Sequence, residues 1–284
     1  MSRLAIQNVH QRDSSISFEE SSHTYTVKGI RKGYTSVTKL LHCFFPDFNP
    51  DEVIRKMRLS KSWPQSQYFG MTDYAIKKKW KDEGFASSRA GTNLHLRIEK
   101  FLDGESESVE APPTPEWNYF QNFWERTSPE LEPYRLEWPV WVEELKLAGC
   151  IDCVFRRKGD GAFFIYDWKR SKEIKKKNDF ESGLGPLSHL PASNYWQYTI
   201  QLNIYKWILE RYYGLVIEGL YLVILHPDNK SYIRMELNKM DSEVEDIMEA
   251  RRKRIVSVSE SDSSALVIME EEQEKEEGCL IHLE

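Results

Sequence analysis

The chain has 284 residues, of which 40% are hydrophobic and 13% aromatic, so it can bury a sizeable core. No run approaches the ~18 apolar residues of a membrane span, and the first residues lack the apolar stretch of a secretion signal. We therefore expect an intracellular protein without a membrane partner. The net charge of −6 is uneven, because residues 257–284 alone carry −8. The remaining body is slightly basic, so overall acidity does not exclude an anionic partner.

The first half of the chain is predicted to begin with a flexible arm over residues 1–15, which are polar and aperiodic. A β-hairpin follows, with strands at 16–18 and 23–27. Apolar spacing and capping residues then predict helices at 36–41, 51–59, 73–83 and 90–102. The helices between about 40 and 90 precede the main run of strands, and we interpret them as a helical insertion.

The second half begins with a polar loop and a helix at 115–126. Strands are predicted at 134–142, 147–156 and 162–168, then a long helix at 194–213, strands at 219–225 and 232–237, and a helix at 241–254. This order predicts an α/β fold, a single domain over residues 16–255 with a mixed central sheet flanked by helices. Residues 256–284 are rich in Ser and acids and are predicted to be a disordered acidic tail. The tail could dock a protein partner, mimic nucleic acid or keep the chain soluble.

Three charged residues lie within predicted strands that are otherwise apolar. Asp152 lies in one strand, and Asp167 and Lys169 lie two positions apart on one face of the next. A buried charge is costly unless it is paired or binds something. Two carboxylates can bind a hard cation such as Mg²⁺ or Mn²⁺, and a lysine beside them can position water or stabilise a charged phosphate.

His95 lies on a predicted helix, four residues after Gly91 and four before Glu99, so the three share one face. Beside the acidic strands, His95 becomes a candidate third metal ligand. Gln201 and Tyr205 also share a helix face and could hold a substrate backbone. Alternatively, they form the polar stripe of an amphipathic helix.

A basic segment begins at Lys169 and continues to residue 177. It includes Arg170 and Lys172. Next to a phosphate site, such a segment indicates nucleic-acid contact, although a solvated loop has the same composition. Residues 251–254 carry the same ambiguity. Aromatic residues nearby could stack on unpaired bases.

The chain has four cysteines, and Cys150 and Cys153 form a Cys-x-x-Cys pair. That spacing occurs in zinc and redox sites. Here the pair lies within one predicted strand and has no second pair to complete a zinc site, so the pattern favours two structural thiols.

These motifs occur in the order Gly91-Thr-x-x-His95, Gly149-x-x-Asp152, Asp167-x-Lys169 and Gln201-x-x-x-Tyr205. The set resembles the PD-(D/E)xK nuclease superfamily. Within it, the set is similar to the RecB-type branch, which includes the mitochondrial genome maintenance exonuclease and exonucleases of phages and large viruses. The resemblance covers roughly residues 16–240 and implies a restriction-endonuclease-like core.

By this resemblance, His95, Asp152 and Asp167 would bind the metal and Lys169 would complete the catalytic set. The resemblance also places Gln201 and Tyr205 at the substrate, and the basic segment adds Arg170 and Lys172 as substrate contacts. Some members of the family carry a four-cysteine iron–sulfur cluster. This chain lacks the C-terminal cysteine group, so we expect no such cluster.

The predicted function is a Mg²⁺- or Mn²⁺-dependent DNA exonuclease that acts on single-stranded or frayed ends, in repair, recombination or replication. The alternatives are an endonuclease for DNA or RNA that uses the same site, and a non-catalytic nucleic-acid-binding module. The protein is expected to act in a nucleus, a cytoplasm or a viral factory.

Overall fold

The computed structural model describes residues 2–19, 22–31, 33–105 and 113–260, with side chains described to residue 255. The chain divides into two compact units. The first comprises residues 1–46 and 93–262, and the described part of the second is residues 47–92. The second unit overlaps the helical insertion that the sequence places around residues 40–90.

A mixed β-sheet is the centre of the first unit. Its described strands are β3 (Thr35–Ser36), β4 (Leu131–Val142), β5 (Leu147–Arg157), β6 (Phe163–Lys169), β7 (Ile217–Ile224) and β8 (Ile233–Glu236). Antiparallel β4 follows β5 along its whole length, so parallel β3 and antiparallel β6 must share the other edge of β5. β7 lies parallel to β6, and β8 is antiparallel to β7.

Helices cover both faces of this sheet. The core on one face includes buried residues of α2 (Val37–His42), α6 (Asn194–Tyr212) and α7 (Asp241–Glu260). The core on the other face includes the last turns of α4 (Asp73–Leu102) and the aromatic side of α5 (Pro115–Thr127). The predicted fold class, a mixed sheet flanked by helices, is confirmed.

Local sequence explains where these helices start. Before α5, the Thr114 hydroxyl accepts a hydrogen bond from the Trp117 N–H, and Pro115 occupies the first turn, where a missing N–H costs nothing. Trp117, Phe120 and Phe123 then repeat at helical spacing and are all buried. The helix therefore presents one aromatic side to the sheet.

The predicted N-terminal hairpin is confirmed as β1 (Ile16–Glu19) and β2 (Thr24–Val27), which pair antiparallel. The sequence predicts a flexible arm over the fifteen residues before this hairpin. Helix α1 (Arg3–Gln7) forms there, and its first two backbone N–H groups donate to the Asp103 carboxylate at 2.7 and 2.8 Å. Further along, Asp13 pairs with Arg135 at 2.6 Å. The segment is held by partners about a hundred residues away, which local periodicity does not reveal.

Two helix boundaries also differ from prediction. The helices expected at 73–83 and 90–102 are one helix, α4, of 30 residues. Helix α7 runs to Glu260, into the region predicted as a tail. The rest of that tail, residues 261–284, lies outside the described residues. In the second unit, α3 (Pro50–Leu59) is capped by Asn49 and agrees with prediction. Across the described residues, no helix combines the length and the hydrophobicity of a membrane span.

Candidate metal centre

The candidate site lies where β5 loses its strand partners on one edge. On that edge β3 pairs only with Leu147 and Ala148, and β6 begins to pair at Cys153. Residues 149–152 lie between these two segments, with no strand pairing there among the described residues. Polar side chains can therefore approach this stretch of backbone at the centre of the sheet.

Asp152 is the last residue of this unpaired stretch. Its side chain is 15% exposed, and its Oδ2 accepts a hydrogen bond from the Trp168 N–H at 2.9 Å. The carboxylate thus binds a backbone donor on β6 just beyond the point where β5 and β6 separate. This bond fixes the position of Asp152 relative to the strand that carries Asp167 and Lys169.

His95 reaches the same backbone from α4. Its Nε2 lies 2.9 Å from the Trp168 carbonyl oxygen, and its Nδ1 lies 3.5 Å from Asp152 Oδ2. A carbonyl only accepts hydrogen bonds, so Nε2 must carry the proton. In the neutral ring, Nδ1 then carries a lone pair, so two hydrogen-bond acceptors, His95 Nδ1 and Asp152 Oδ2, face each other. A cation or an added proton between them would relieve that repulsion.

Glu137 completes the cluster, and the sequence analysis missed it. It lies on β4, in register opposite Asp152, with a left-handed φ of +38°. Such backbone strain in a non-glycine residue often marks a functional position. One ligand atom each from His95, Glu137 and Asp152 lie within 4.8 Å of one another. A charged residue inside the apolar run of β4 was the available signal, the same one that identified Asp152.

The electrostatics of the cluster favour a cation. Burial, followed by the nearby Asp152 and Glu99 carboxylates, raises the pKa of Glu137 well above its ordinary range. Burial and the neighbouring carboxylates therefore destabilise the charged form of Glu137, and a divalent ion would reverse this effect. One imidazole and two carboxylates form a donor set that suits Mn²⁺ and admits Mg²⁺. The residues present thus fit a divalent metal.

Asp167 and Lys169 form a buried pair beside this cluster. Lys169 Nζ lies 3.0 Å from Asp167 Oδ2 and 4.7 Å from the centre of the Tyr198 ring. Burial raises the pKa of Asp167 to about 6, against the opposing effect of Lys169. Burial is the largest single effect and would lower the pKa of Lys169, but Asp167, Tyr198 and Asp152 together outweigh it, so the net shift is upward. Lys169 therefore stays protonated.

Asp167 is not part of the tight three-residue group, although the sequence analysis assigned it as a ligand. Asp152 and His95 both affect its pKa, so it faces the same site. In this arrangement its carboxylate is paired with Lys169, and the described cluster has Glu137 in its place. A ligand role for Asp167 stays a prediction.

Gln201 and Tyr205 lie beneath β5. Tyr205 is buried, and the side chain of Gln201 hydrogen-bonds to its phenol. A Cβ added at Gly149 would lie 2.6 Å from Tyr205 Cε1, so only glycine lets the ring pack against the strand. The geometry makes Tyr205 a support for β5 and Gln201. Direct substrate contact by this pair stays a prediction, and it concerns the half-buried Gln201 more than Tyr205.

The predicted phosphate contacts have acidic partners in the structure. Arg170 pairs with Glu116 at 2.8 Å in a mostly buried contact, whereas Lys172 pairs with Asp228 at 2.8 Å on the surface. Their role in substrate binding also stays a prediction. At the other basic segment, Arg251 donates to the Leu145 carbonyl oxygen and to Thr35, so it anchors α7 to the sheet.

The two thiols of the Cys-x-x-Cys pair have different surroundings. Three positions apart on a strand, Cys150 and Cys153 point to opposite faces. Cys150 donates to Glu137 at 3.4 Å, and Cys153 is fully buried. Burial raises the pKa of both thiols well above the ordinary value. Both are free thiols, as is Cys43, and a protonated buried thiol is a poor metal ligand.

Comparison with known proteins agrees with this site. The model of the PD-(D/E)XK nuclease superfamily matches residues 67–277, and the chain belongs to that superfamily. The matched range includes all residues of the cluster and the Asp167–Lys169 pair. Divalent-metal dependence is a property of these nucleases, and the fold and ligand cluster described above agree with it.

Solved structures give more distant similarity. The protein SSO0001 is 18% identical, with 78% of this chain and 76% of that chain covered and a TM-score of 0.32. A candidate exonuclease from Eubacterium rectale is 11% identical, with 59% and 65% covered and a TM-score of 0.36. No curated protein matches the chain.

Proposed function

We propose that this nuclease is a Mn²⁺- or Mg²⁺-dependent DNA exonuclease that hydrolyses phosphodiester bonds at single-stranded or frayed ends. One observation carries the catalytic part: the His95, Glu137 and Asp152 cluster lies beside the buried Asp167–Lys169 pair. The preference for DNA ends rests on the resemblance of the motif set to RecB-type exonucleases. Roles in repair, recombination or replication follow from that preference.

The groups of the site would have three roles: binding the metal, stabilising charge on the phosphate and orienting the ligands. His95, Glu137 and Asp152 would hold the ion, which supplies Lewis acidity toward phosphate and water. Lys169 is protonated and held by Asp167, so its ammonium can stabilise negative charge on the phosphate. The Trp168 backbone orients both Asp152 and His95 through its N–H and its carbonyl oxygen. Two ligand side chains are thus positioned by the backbone of one residue, which lies between Asp167 and Lys169.

The test is cleavage of end-labelled linear and circular single-stranded DNA with Mn²⁺, with Mg²⁺ and with EDTA. Wild type is compared with Lys169→Met, which keeps the aliphatic stem and removes the charge. We expect metal-dependent loss of the linear strand, an intact circle and no activity in the variant. A cut circle would refute the exonuclease and support an endonuclease. Binding without cleavage under all metal conditions would support the non-catalytic module.

A further inference from the structure

The first half of α4, in the second unit, carries a stripe of exposed aromatic and basic side chains. The stripe consists of Tyr74, Lys78, Lys81, Phe85 and Arg89. At 3.6 residues per turn these positions fall within an arc of about 80°, and at 1.5 Å per residue they extend along ~22 Å. The five side chains therefore form one continuous surface line.

The two aromatic residues of the stripe are unusually exposed. Tyr74 is 76% exposed and Phe85 is 66% exposed, whereas Ile76 on the opposite side of the helix is fully buried. Trp80, also on that opposite side, contacts Tyr68 and Phe48 within the second unit. The inner aromatics thus have a packing role, and the stripe aromatics have none in the described part of the chain.

The basic residues divide in the same way. Near the inner side, Lys77 pairs with Asp51 at 2.5 Å and Lys79 lies 3.8 Å from Glu83. For Lys78, Lys81 and Arg89, no carboxylate of the described residues lies within ion-pair distance, although Asp82 is one turn from Lys78. Residues 47–92 contain nine basic and six acidic residues, a net charge of +3. The excess positive charge is concentrated on the stripe.

We infer that the stripe binds single-stranded nucleic acid, with Lys78, Lys81 and Arg89 on phosphates and Tyr74 and Phe85 stacked on unpaired bases. Exposed rings next to unpaired cations offer partners for both the bases and the phosphates of a single strand. A duplex hides its base faces and would contact only the cations. The choice of nucleic acid rests on the proposed function, whereas the stripe itself does not depend on catalysis.

The experiment measures fluorescence anisotropy of a labelled oligothymidylate with the full-length protein in EDTA, over a range of salt concentrations. Lys78→Ala/Lys81→Ala is compared with Lys230→Ala/Lys239→Ala, a matched loss of two exposed charges of the first unit that have no ion-pair partner among the described residues. We expect weaker binding and a salt slope shallower by about 1.4 only in the stripe variant. Equal affinity and equal slope in the two variants would overturn the inference.

The ring is tested by Phe85→Leu, with Phe85→Tyr as the variant that keeps the stacking face. We expect Kd to rise roughly fivefold or more for leucine and to stay near wild type for tyrosine. The effect should vanish on duplex DNA of equal length. An equal loss on duplex, or competition by polyglutamate as strong as by oligothymidylate, would overturn the assignment to single strands.

Hydrolysis of bis(p-nitrophenyl) phosphate, a small phosphodiester that reaches only the metal site, separates this inference from the proposed function. The stripe variants should hydrolyse it at the wild-type rate. A wild-type protein that hydrolyses nothing would refute the proposed function, yet the EDTA binding result would still decide whether the stripe binds a single strand.

Discussion

Replacing Gly149 with alanine should destabilise the protein through a clash that can be located atom by atom. The new methyl would lie 2.6 Å from Tyr205 Cε1 and 2.9 Å from Val37 Cγ2. Carbon atoms prefer about 3.5–4.0 Å, so both contacts are too short by roughly 1 Å. All three residues are in the core, where overpacking by one methyl costs ~1–3 kcal/mol of unfolding free energy.

Gly159 provides the matched control, because a Cβ there meets nothing within 4 Å. Gly159→Ala should be neutral or stabilise by ~0.4–1 kcal/mol, since alanine restricts the unfolded chain. The assay is urea unfolding in EDTA, followed by tryptophan fluorescence. Tyr205→Leu should remove most of the added cost in a double variant. Gly149→Ala that unfolds at the same urea concentration as Gly159→Ala would refute the packing argument.

Three further changes test the site and its surroundings. In EDTA at neutral pH, Glu137→Gln should raise the melting temperature, because it removes a carboxylate whose charged form is disfavoured by burial. In buffer without EDTA, calorimetric titration should show that the variant binds Mn²⁺ more than about tenfold more weakly than wild type, and unchanged affinity would exclude Glu137 as a ligand. The pKa of Asp167 is about 6 in the folded protein and ~3.9 in the unfolded chain. The contribution of Asp167 to the stability of the metal-free protein therefore falls as the pH rises between these two values. If Asp167 is also a ligand, Mn²⁺ competes with that proton, and the rise in melting temperature on adding Mn²⁺ should grow as pH passes through about 6; a pH-independent rise would contradict that role. Arg251→Ala should lower the free energy of unfolding in urea by ~1–2 kcal/mol, because the hydrogen bonds to Leu145 and Thr35 are lost, and should leave DNA binding unchanged. A variant that folds with normal stability but binds DNA more weakly would instead assign Arg251 to nucleic-acid binding.

The sequence predicts the sheet and most of the site because the relevant signals are local. Apolar strands interrupted by a single charge identify Asp152 and Asp167, and the spacing of two fixes Lys169 on the same side as Asp167. The fold class follows from the order of elements, and a capping residue such as Asn49 places the start of its helix within a residue or two.

What the sequence does not predict depends on contacts between distant segments. Glu137 joins His95 and Asp152 only because β4 and β5 pair in a register that sets residues 137 and 152 opposite each other. Likewise, the sequence gives no sign that Arg170 pairs with Glu116, fifty-four residues earlier. Composition can predict a charge but not its partner.

The anchoring of the first fifteen residues has a practical consequence for how this protein can be shortened. A gene product that starts at residue 16 would lack Asp13, and Arg135, which is 3% exposed, would remain a buried cation without its carboxylate. Losing one partner of such a pair costs ~3–5 kcal/mol, and the Trp138 indole would lose its acceptor as well. Arg135 and Trp138 flank Glu137 on β4. Trimming a segment remote in sequence would therefore disable the metal centre, and the loss would resemble an active-site mutation.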